Sequence, residues 1–246
     1  MVNRGANVID MKAFQVACRV CSMRDLCLPI GLDHQELNEL NEIIRHRPPL
    51  RRGDRLFEMG QPLRGLFAVR SGSVKSYVPT EDGDEKVMGF SLPGELVGLE
   101  AIGDGTHRCT AVALETTSVC EIPFEQLDEI TGRIPSLRRQ LLRLMSSELS
   151  RDQDQLLLLG GSAEQRLAAF LVSLSRRFHE RGFSAREFNL SMSRQDIAGF
   201  LGMAVETVSR LLTRFSEDGL VGVQRKHITL LEVPRLEGMA KGGADS

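Results

Sequence analysis

The sequence predicts an α+β protein with two modest domains joined by one long helix. At 246 residues the chain exceeds one average domain. Ten glycines separate short apolar stretches between Gly53 and Gly105, a pattern typical of antiparallel β-structure. Beyond Pro135 the glycines stop for 24 residues and the apolar spacing becomes helical.

Composition is that of an ordinary globular protein, with 41% hydrophobic and 26% charged residues. No apolar stretch reaches the roughly 18 residues needed to span a bilayer, and the N-terminus carries Asp10, Lys12 and Arg19 instead of an apolar signal core. We therefore expect a cytoplasmic protein without membrane contact. The net charge is −4 over residues 1–159 and +2 over residues 160–246, which permits a nucleic-acid surface at the C-terminal end.

The glycine-rich region predicts a compact barrel or roll of antiparallel strands. Three stretches are predicted strands: Leu66–Val69, Val74–Val78 and Val87–Phe90. Pro48 and Pro49 precede the region and Pro123 closes it, so we expect the β unit at about residues 50–123. An amphipathic helix is expected before it, at Asp33–Arg45.

A heptad-like seam runs along the predicted long helix. Its members follow a 3-4-3-4-3 spacing: Leu142, Met145, Leu149, Asp152, Leu156 and Leu159. A seam sustained for nearly three heptads predicts that the helix pairs with its own copy in a dimer. The alternative is a long helix that lies against its own β domain. Gly160 and Gly161 are expected to end this helix and to act as a hinge.

The segment that begins at Ser193 predicts a helix, a tight turn and a second helix, over Ser193–Leu201 and Val205–Phe215. Ser193 and Asp196 have capping-box spacing, and Gly202 supplies the positive φ that a short turn needs. Six apolar side chains are expected to face inward: Ile197, Ala198, Leu201, Val208, Leu211 and Leu212.

The second helix would expose Glu206, Ser209 and Arg210 near its start, where a recognition helix carries its base-reading side chains. Arg210 can donate two hydrogen bonds to guanine, Glu206 can accept one from a base amine, and Ser209 can add a hydroxyl contact. The alternative is a helical hairpin that never meets DNA, in which Glu206 and Arg210 form a surface ion pair.

Two further short strands, Leu220–Gln224 and His227–Leu231, are predicted after this helix, joined by Arg225 and Lys226. Such a wing could lay positive charge on a phosphate backbone, which favours DNA binding. Ala204 does not fit the expected pattern, because it precedes the second helix without a capping side chain. Its presence weakens the start of that helix by about 1 kcal/mol.

Three of the five cysteines, Cys18, Cys21 and Cys27, lie within ten residues. Thiolates so close need a cation, and a chain with an odd cysteine count and no secretion signal is not expected to form disulfides. Zinc or three free thiols are alternatives, although no second Cys or His pair with zinc-site spacing follows. A distant fourth ligand, Cys109 or Cys120, would complete an arrangement known for iron–sulfur clusters.

The order of cysteine loop, β region, long helix and winged helix-turn-helix resembles the CRP/FNR superfamily, in particular its oxygen-sensing FNR (or ANR) type. The similarity is dense in five segments: Ile122–Glu125, Arg151–Leu159, Leu174–Phe178, Arg181–Phe188 and Val205–Leu212. The resemblance implies a cysteine-rich cluster-binding segment at 1–30, a β-roll sensor domain of the cyclic-nucleotide-binding type at 31–134, a dimerisation helix at 135–160 and a winged helix-turn-helix DNA-binding domain at 161–246.

By position, the resemblance implies that an oxygen-labile [4Fe–4S] cluster is held by Cys18, Cys21, Cys27 and Cys120. Cys109 has no counterpart among these ligands, and we expect it to be a small buried residue. The intact cluster would favour a homodimer under anaerobic conditions. A zinc-stabilised or haem-based regulator of the same fold is the alternative.

The resemblance also implies the target. Glu206, Ser209 and Arg210 would read double-stranded DNA at a two-fold site with TTGAT-like half-sites about one helical turn apart, activating or repressing genes of anaerobic metabolism. The acidic loop Glu81–Glu85 matches a region that contacts RNA polymerase in this family, and the alternative is a loop that is simply solvated.

Two positions argue against a cyclic nucleotide as ligand. In the cyclic-nucleotide-binding relatives a glutamate holds the ribose and an Arg-Ser pair holds the phosphate. Here the first position is Leu99, which cannot hydrogen-bond a sugar hydroxyl, and the second is Arg108–Cys109. An enzyme is not expected either, because phosphate-loop and G-x-S-x-G motifs are missing and the five histidines form no metal-ligand pattern.

Asp152 places an acid in an otherwise apolar seam. Like charges about 4–6 Å apart repel by roughly 1–4 kcal/mol at surface-like dielectric, so the two copies would oppose dimerisation. Our hypothesis is that the cluster-bound N-terminal segment supplies the missing stabilisation, which oxygen removes.

Overall fold

The structure is a computed structural model that describes residues 18–81 and 83–242, with the side chains of residues 157–159 outside the description. It begins with two short 3₁₀ turns, Cys18–Val20 and Arg24–Leu26, and continues with helix α1, His34–Ile43. Asp33 caps this helix through a capping box with Glu36. The predicted extension of this helix to Arg45 is wrong, because Arg45 pairs with a strand instead.

Two four-stranded antiparallel sheets form a β-roll, which confirms the predicted barrel or roll. The strands are β1 (Arg45–His46), β2 (Arg55–Phe57), β3 (Gly65–Ser71), β4 (Val74–Pro79), β5 (Glu85–Ser91), β6 (Leu96–Val97), β7 (Thr110–Ala113) and β8 (Ser118–Pro123). One sheet has the order β1-β8-β3-β6 and the other β2-β7-β4-β5. Their apolar inner faces share a core that includes Phe57, Val74 and Val119, so the roll is held by burial between sheets.

Helix α2 (Phe124–Arg133) leads into the long helix α3 (Pro135–Leu159). One face of α3 packs on its own domain, where Leu137 is fully buried in a cluster with Leu40 and Ile122. The alternative of a helix lying against its own β domain is therefore correct for this face. The predicted seam lies on a different face.

The C-terminal part is a winged helix-turn-helix, as predicted. Its elements are α4 (Ala163–Glu180), β9 (Glu187–Asn189), α5 (Arg194–Leu201), α6 (Val205–Glu217), β10 (Val221–Gln224), β11 (His227–Leu230) and α7 (Val233–Ala240). The wing strands β10 and β11 pair antiparallel, and β9 joins β11 as a third strand.

The two domains share an apolar junction. Phe90 of β5 packs against Phe170 of α4 and Phe200 of α5, with ring centroids 6.1 and 5.2 Å away. Lys75 of β4 donates to the Asp196 carboxylate of α5 at 2.7 Å, and both residues are buried. The C-terminal part is thus docked on the β-roll.

Among the helices of the described residues, none could span a membrane.

Candidate functional site

A pocket beside the β-roll brings together the four predicted ligand cysteines: Cys18, Cys21, Cys27 and Cys120. The first three come from the 3₁₀ turns and the residues that follow them, whereas Cys120 lies on β8. The rest of the wall is largely apolar and includes Leu28, Leu40 and Ile122. Tertiary folding therefore joins a local triplet to Cys120, a thiol 93 residues beyond Cys27.

Two hydrogen bonds tie the cysteine segment to neighbouring helices. The Cys18 N–H donates to Asn41 Oδ1 of α1 at 3.2 Å. The Gln140 amide of α3 donates to the Cys27 carbonyl at 3.3 Å, and the Gln140 side chain is buried. Since α3 also carries the predicted dimer seam, this bond connects a predicted ligand directly to the seam helix.

The pocket disfavours bare thiolates. Burial raises the pKa of Cys18 to about 12, helped by the nearby Cys120 and Cys21. Burial also raises the pKa of Cys27 to about 12. The pKa of Cys120 is raised by burial as well, although the Arg70 guanidinium opposes this. At neutral pH these thiols are protonated unless a cation replaces their protons.

The donor atoms that the pocket offers to a metal group are the four cysteine thiols. Across residues 18–81 and 83–242, no three His, Cys, Asp or Glu side chains stand close enough to share one metal ion. A tetrahedral zinc ion needs its thiolates about 2.3 Å away. A [4Fe–4S] cluster binds one cysteine at each of its four irons, so its ligands stand further apart than those of a single zinc ion. Four thiols match the number of ligands that such a cluster requires.

The fifth thiol, Cys109, lies outside this pocket and is 7% exposed, as predicted for a small buried residue. It is 3.6 Å from Glu100, which also bonds His107 at 2.9 Å. The His107 ring stacks on Phe57 with centroids 3.6 Å apart. These side chains therefore interact with one another next to Leu99.

The helix-turn-helix is built as the sequence predicts. Ser193 and Asp196 form a reciprocal capping box, and Gly202 ends α5 with a φ of 61°. The six side chains expected to face inward are all buried: Ile197, Ala198, Leu201, Val208, Leu211 and Leu212. Ala204 makes no side-chain hydrogen bond at the start of α6, which matches the expected weak cap.

Three exposed side chains mark the outer face of α6: Glu206, Ser209 and Arg210. The alternative Glu206–Arg210 ion pair is not formed between these two described residues, and Arg210 donates instead to Thr207 at 3.4 Å. Ser209 donates to the Val205 carbonyl at 3.0 Å. A weakly held guanidinium at this position remains available to an outside acceptor.

The wing turn also presents positive charge. Arg225 and Lys226 lie between β10 and β11 and are both exposed. Arg225 adopts a positive φ of 57°, a conformation that is uncommon outside glycine. The turn therefore projects two cations beyond the three-stranded sheet.

The outer face of α3 exposes three leucines of the predicted seam. Leu142, Leu149 and Leu156 are 58%, 63% and 68% exposed. Met145 is partly buried and Asp152 is exposed, while the side chain of Leu159 lies outside the described residues. Partial burial nevertheless raises the pKa of Asp152. Leucines this exposed in a row are typical of a surface covered by a partner.

Sequence reasoning missed Gln140 and Glu95, which bond segments far away in the chain. Gln140 contacts Cys27, and Glu95 binds arginines of both α3 and α4. A single glutamine or glutamate without local periodicity gives no signal of such contacts. Only the folded structure identifies them.

Residues 165–239 match the Crp-like helix-turn-helix domain family, and residues 48–133 match the cyclic nucleotide-binding domain family. The chain is 52% identical over 216 residues to the fumarate and nitrate reduction regulatory protein of Escherichia coli, covering 87% of this chain and 86% of that protein. It is 51% identical over 226 residues to the protein of that name from Salmonella typhimurium, covering 92% and 90%.

Among solved structures, FixK2 from Bradyrhizobium japonicum is similar, with a TM-score of 0.74, 30% identity and coverage of 83% of this chain and 99% of that one. Sequence identity of just over half therefore extends across most of this chain and of both relatives. The chain belongs to the CRP/FNR family of transcription regulators, and within it to the FNR type.

Proposed function

We propose that this chain is an oxygen-responsive transcription regulator that holds a [4Fe–4S] cluster in the cysteine pocket and binds DNA as a homodimer. The observation that carries the proposal is the convergence of Cys18, Cys21, Cys27 and Cys120 on one pocket. The exposed outer face of α6 supports the DNA-binding part.

The residues of the pocket supply what such a cluster requires. Four thiols are available in a largely apolar surrounding, and four cysteine thiolates are the donor set that binds a [4Fe–4S] cluster. When bound, the cluster would supply an oxygen-labile link between the N-terminal segment and β8. Without that link, the segment keeps hydrogen bonds such as the Cys18–Asn41 bond and the buried side chains of Met23 and Leu28.

The chain's own contacts offer a route from this pocket to the dimer. Gln140 joins the Cys27 carbonyl to α3, so an ordered cysteine segment also holds the inner face of the seam helix. The outer face would pair with its copy through Leu142, Met145, Leu149 and Leu156, against repulsion between the two Asp152 carboxylates. Leu159, the last member of the predicted seam, has a side chain outside the described residues. A loosened segment would remove support from α3 and leave that repulsion unopposed.

In the dimer, two recognition helices would read TTGAT-like half-sites through Glu206, Ser209 and Arg210. A monomer would lose one half-site, on which specific affinity depends. The turn 81–85 would contact RNA polymerase. Glu85 of this turn pairs with Lys75, which also binds Asp196 of α5. These ion pairs connect the turn to the DNA-binding domain. Asp82, in the same turn, lies outside the described residues.

A cyclic nucleotide is not part of the proposal. Leu99 stands where the sugar-binding glutamate would be. Arg108, at the phosphate position, is exposed and paired with Asp104. The neighbouring Glu100 is engaged with His107, so the side chains nearest that position already bind one another.

Iron and sulfide analysis of protein prepared without oxygen tests the proposal. We expect about four iron and four sulfide per chain, together with dimeric protein that binds a two-fold TTGAT-like duplex. Cys120→Ser should lose the cluster and the dimer, whereas Cys109→Ser, at the thiol outside the pocket, should keep both. One zinc per chain, a haem spectrum, or a cluster that survives Cys120→Ser would refute the assignment.

A further inference from the structure

One buried carboxylate joins three parts of the molecule. Glu95 lies in the loop between β5 and β6, and its side chain is 9% exposed. It accepts hydrogen bonds from Arg151 of α3 at 2.8 Å, Arg177 of α4 at 2.7 Å and Arg181 of α4 at 2.5 Å. The β-roll, the seam helix and the first helix of the DNA-binding domain therefore meet at this side chain.

The backbone beside Glu95 strengthens the same junction. Arg177 also donates to the Phe90 carbonyl at 2.5 Å, and Arg181 donates to the Pro93 carbonyl at 2.6 Å. Gly94 has a φ of +90°, and a Cβ at this position would lie 2.8 Å from the Cβ of Leu26. The loop that carries Glu95 thus also touches the cysteine segment, next to Cys27.

The charge at Glu95 is held in place by its partners. Burial by itself would raise the pKa of this carboxyl, but Arg177, Arg151 and Arg181 outweigh burial and hold the pKa at about 2. The group is therefore ionised at neutral pH. Without the carboxylate, the guanidinium groups of Arg177 and Arg181 would lie near each other with little access to solvent, which is strongly unfavourable, whereas the more exposed Arg151 would keep Glu148 as a partner.

We infer that Glu95 is a positioning residue that fixes the angle between the DNA-binding domain and the seam helix, and so sets the half-site spacing that the dimer accepts. The inference rests on the two-fold dimer of the proposed function. The covalent connection between α3 and α4 runs through Gly160 and Gly161, which constrain the angle little. The apolar junction at Phe90 holds the DNA-binding domain to the β-roll, whereas Glu95 binds α3 and α4 with the same side chain.

Half-site spacing is the readout that distinguishes positioning from simple stability. The full chain, prepared without oxygen, is titrated against two-fold duplexes in which the half-sites are one helical turn apart or carry one or two extra base pairs. We expect the wild type to lose about tenfold or more in affinity when two base pairs are added. Glu95→Gln should reduce this discrimination to about threefold or less, because either domain can now adjust to the duplex.

Glu180→Gln is the matched control. Glu180 is exposed and lies 3.9 Å from Arg181, so this change removes a carboxylate from the same neighbourhood without removing the bridge between helices. It should keep the wild-type spacing discrimination. A lowered affinity without altered discrimination in Glu95→Gln would indicate a merely stabilising role and overturn the inference.

A second variant covers the case in which Glu95→Gln does not fold. Arg177→Gln leaves Arg151 and Arg181 to neutralise Glu95, yet releases one link to α4, and should relax the discrimination in the same direction. If this variant is folded and dimeric but its spacing discrimination is unchanged, the inference is overturned while the proposed function still stands. If the wild type binds no two-fold duplex, the proposed function fails and the inference fails with it.

Discussion

The cysteine pocket and the helix-turn-helix differ in how much buried apolar contact stabilises them. The cysteine segment consists of two 3₁₀ turns, held by hydrogen bonds to Asn41 and Gln140 and by the buried side chains of Met23 and Leu28. The helix-turn-helix rests on a continuous apolar core in which Val208 and Phe215 are almost completely buried. Local stability follows buried apolar contact, so the first region, which buries fewer apolar side chains, would gain more stability from a bound group than the second.

This difference suits the roles that we propose for the two regions. A sensor must change its conformation when its ligand is lost, and a segment with few buried apolar side chains can do so at a lower cost in free energy. A DNA-recognition helix must present its side chains in one geometry, which requires a rigid support. The following predictions test whether the stability of the molecule is divided in this way.

Phe215→Ala should have the largest effect. It removes a fully buried ring from the core that the DNA-binding domain shares with β-roll residues such as Phe90, at a cost of about 3–5 kcal/mol in the free energy of unfolding. Phe183→Ala, at a half-exposed ring, is the control and should cost far less. Denaturant unfolding measures both; equal losses would contradict a rigid output region.

Asp152→Ala should strengthen the dimer. Removing two facing carboxylates relieves roughly 1–4 kcal/mol of repulsion, so the variant should dimerise and bind DNA in air. Asp154→Ala, at an exposed acid outside the seam, serves as the control. Analytical ultracentrifugation with and without oxygen gives the answer, and an Asp152→Ala protein that stays monomeric and inactive in air would disprove the repulsion.

Arg210→Ala should weaken DNA binding without changing stability. Loss of a base contact costs about 1–3 kcal/mol and relaxes sequence preference at that position. Lys226→Ala in the wing should instead weaken binding to all sequences alike, since it would remove a phosphate contact. Affinities for matched and substituted duplexes at one salt concentration distinguish them; identical profiles for both variants would contradict the assigned roles.

Gln140→Ala should have the smallest effect, confined to the sensing region. The lost hydrogen bond to Cys27 is worth about 1 kcal/mol, so the cysteine segment should open more often while the C-terminal core is unaffected. Trypsin cleavage after Arg24 should accelerate relative to the wild type. The exposed neighbour Arg139→Ala is the control, and a Gln140→Ala protein cleaved at the wild-type rate would remove this link between pocket and seam helix.

The helix-turn-helix could be predicted closely because its determinants are local. The capping box at Ser193 and the positive φ at Gly202 lie within ten residues of each other, and both are found as expected. The long helix could also be predicted, from the helical spacing of its apolar residues. The first helix ends earlier than predicted, because Arg45 pairs with Glu121 of β8, a partner that no local pattern can reveal.

By itself the sequence determined which residues could perform the chemistry: a triplet of close cysteines, a recognition helix and an apolar seam interrupted by an acid. Only the tertiary structure decided which residues meet. It placed Cys120 rather than Cys109 in the pocket and brought Glu95 between Arg151, Arg177 and Arg181. Helical spacing and capping act over a few residues, whereas such contacts depend on how separate elements pack, which is set by the burial of the whole core.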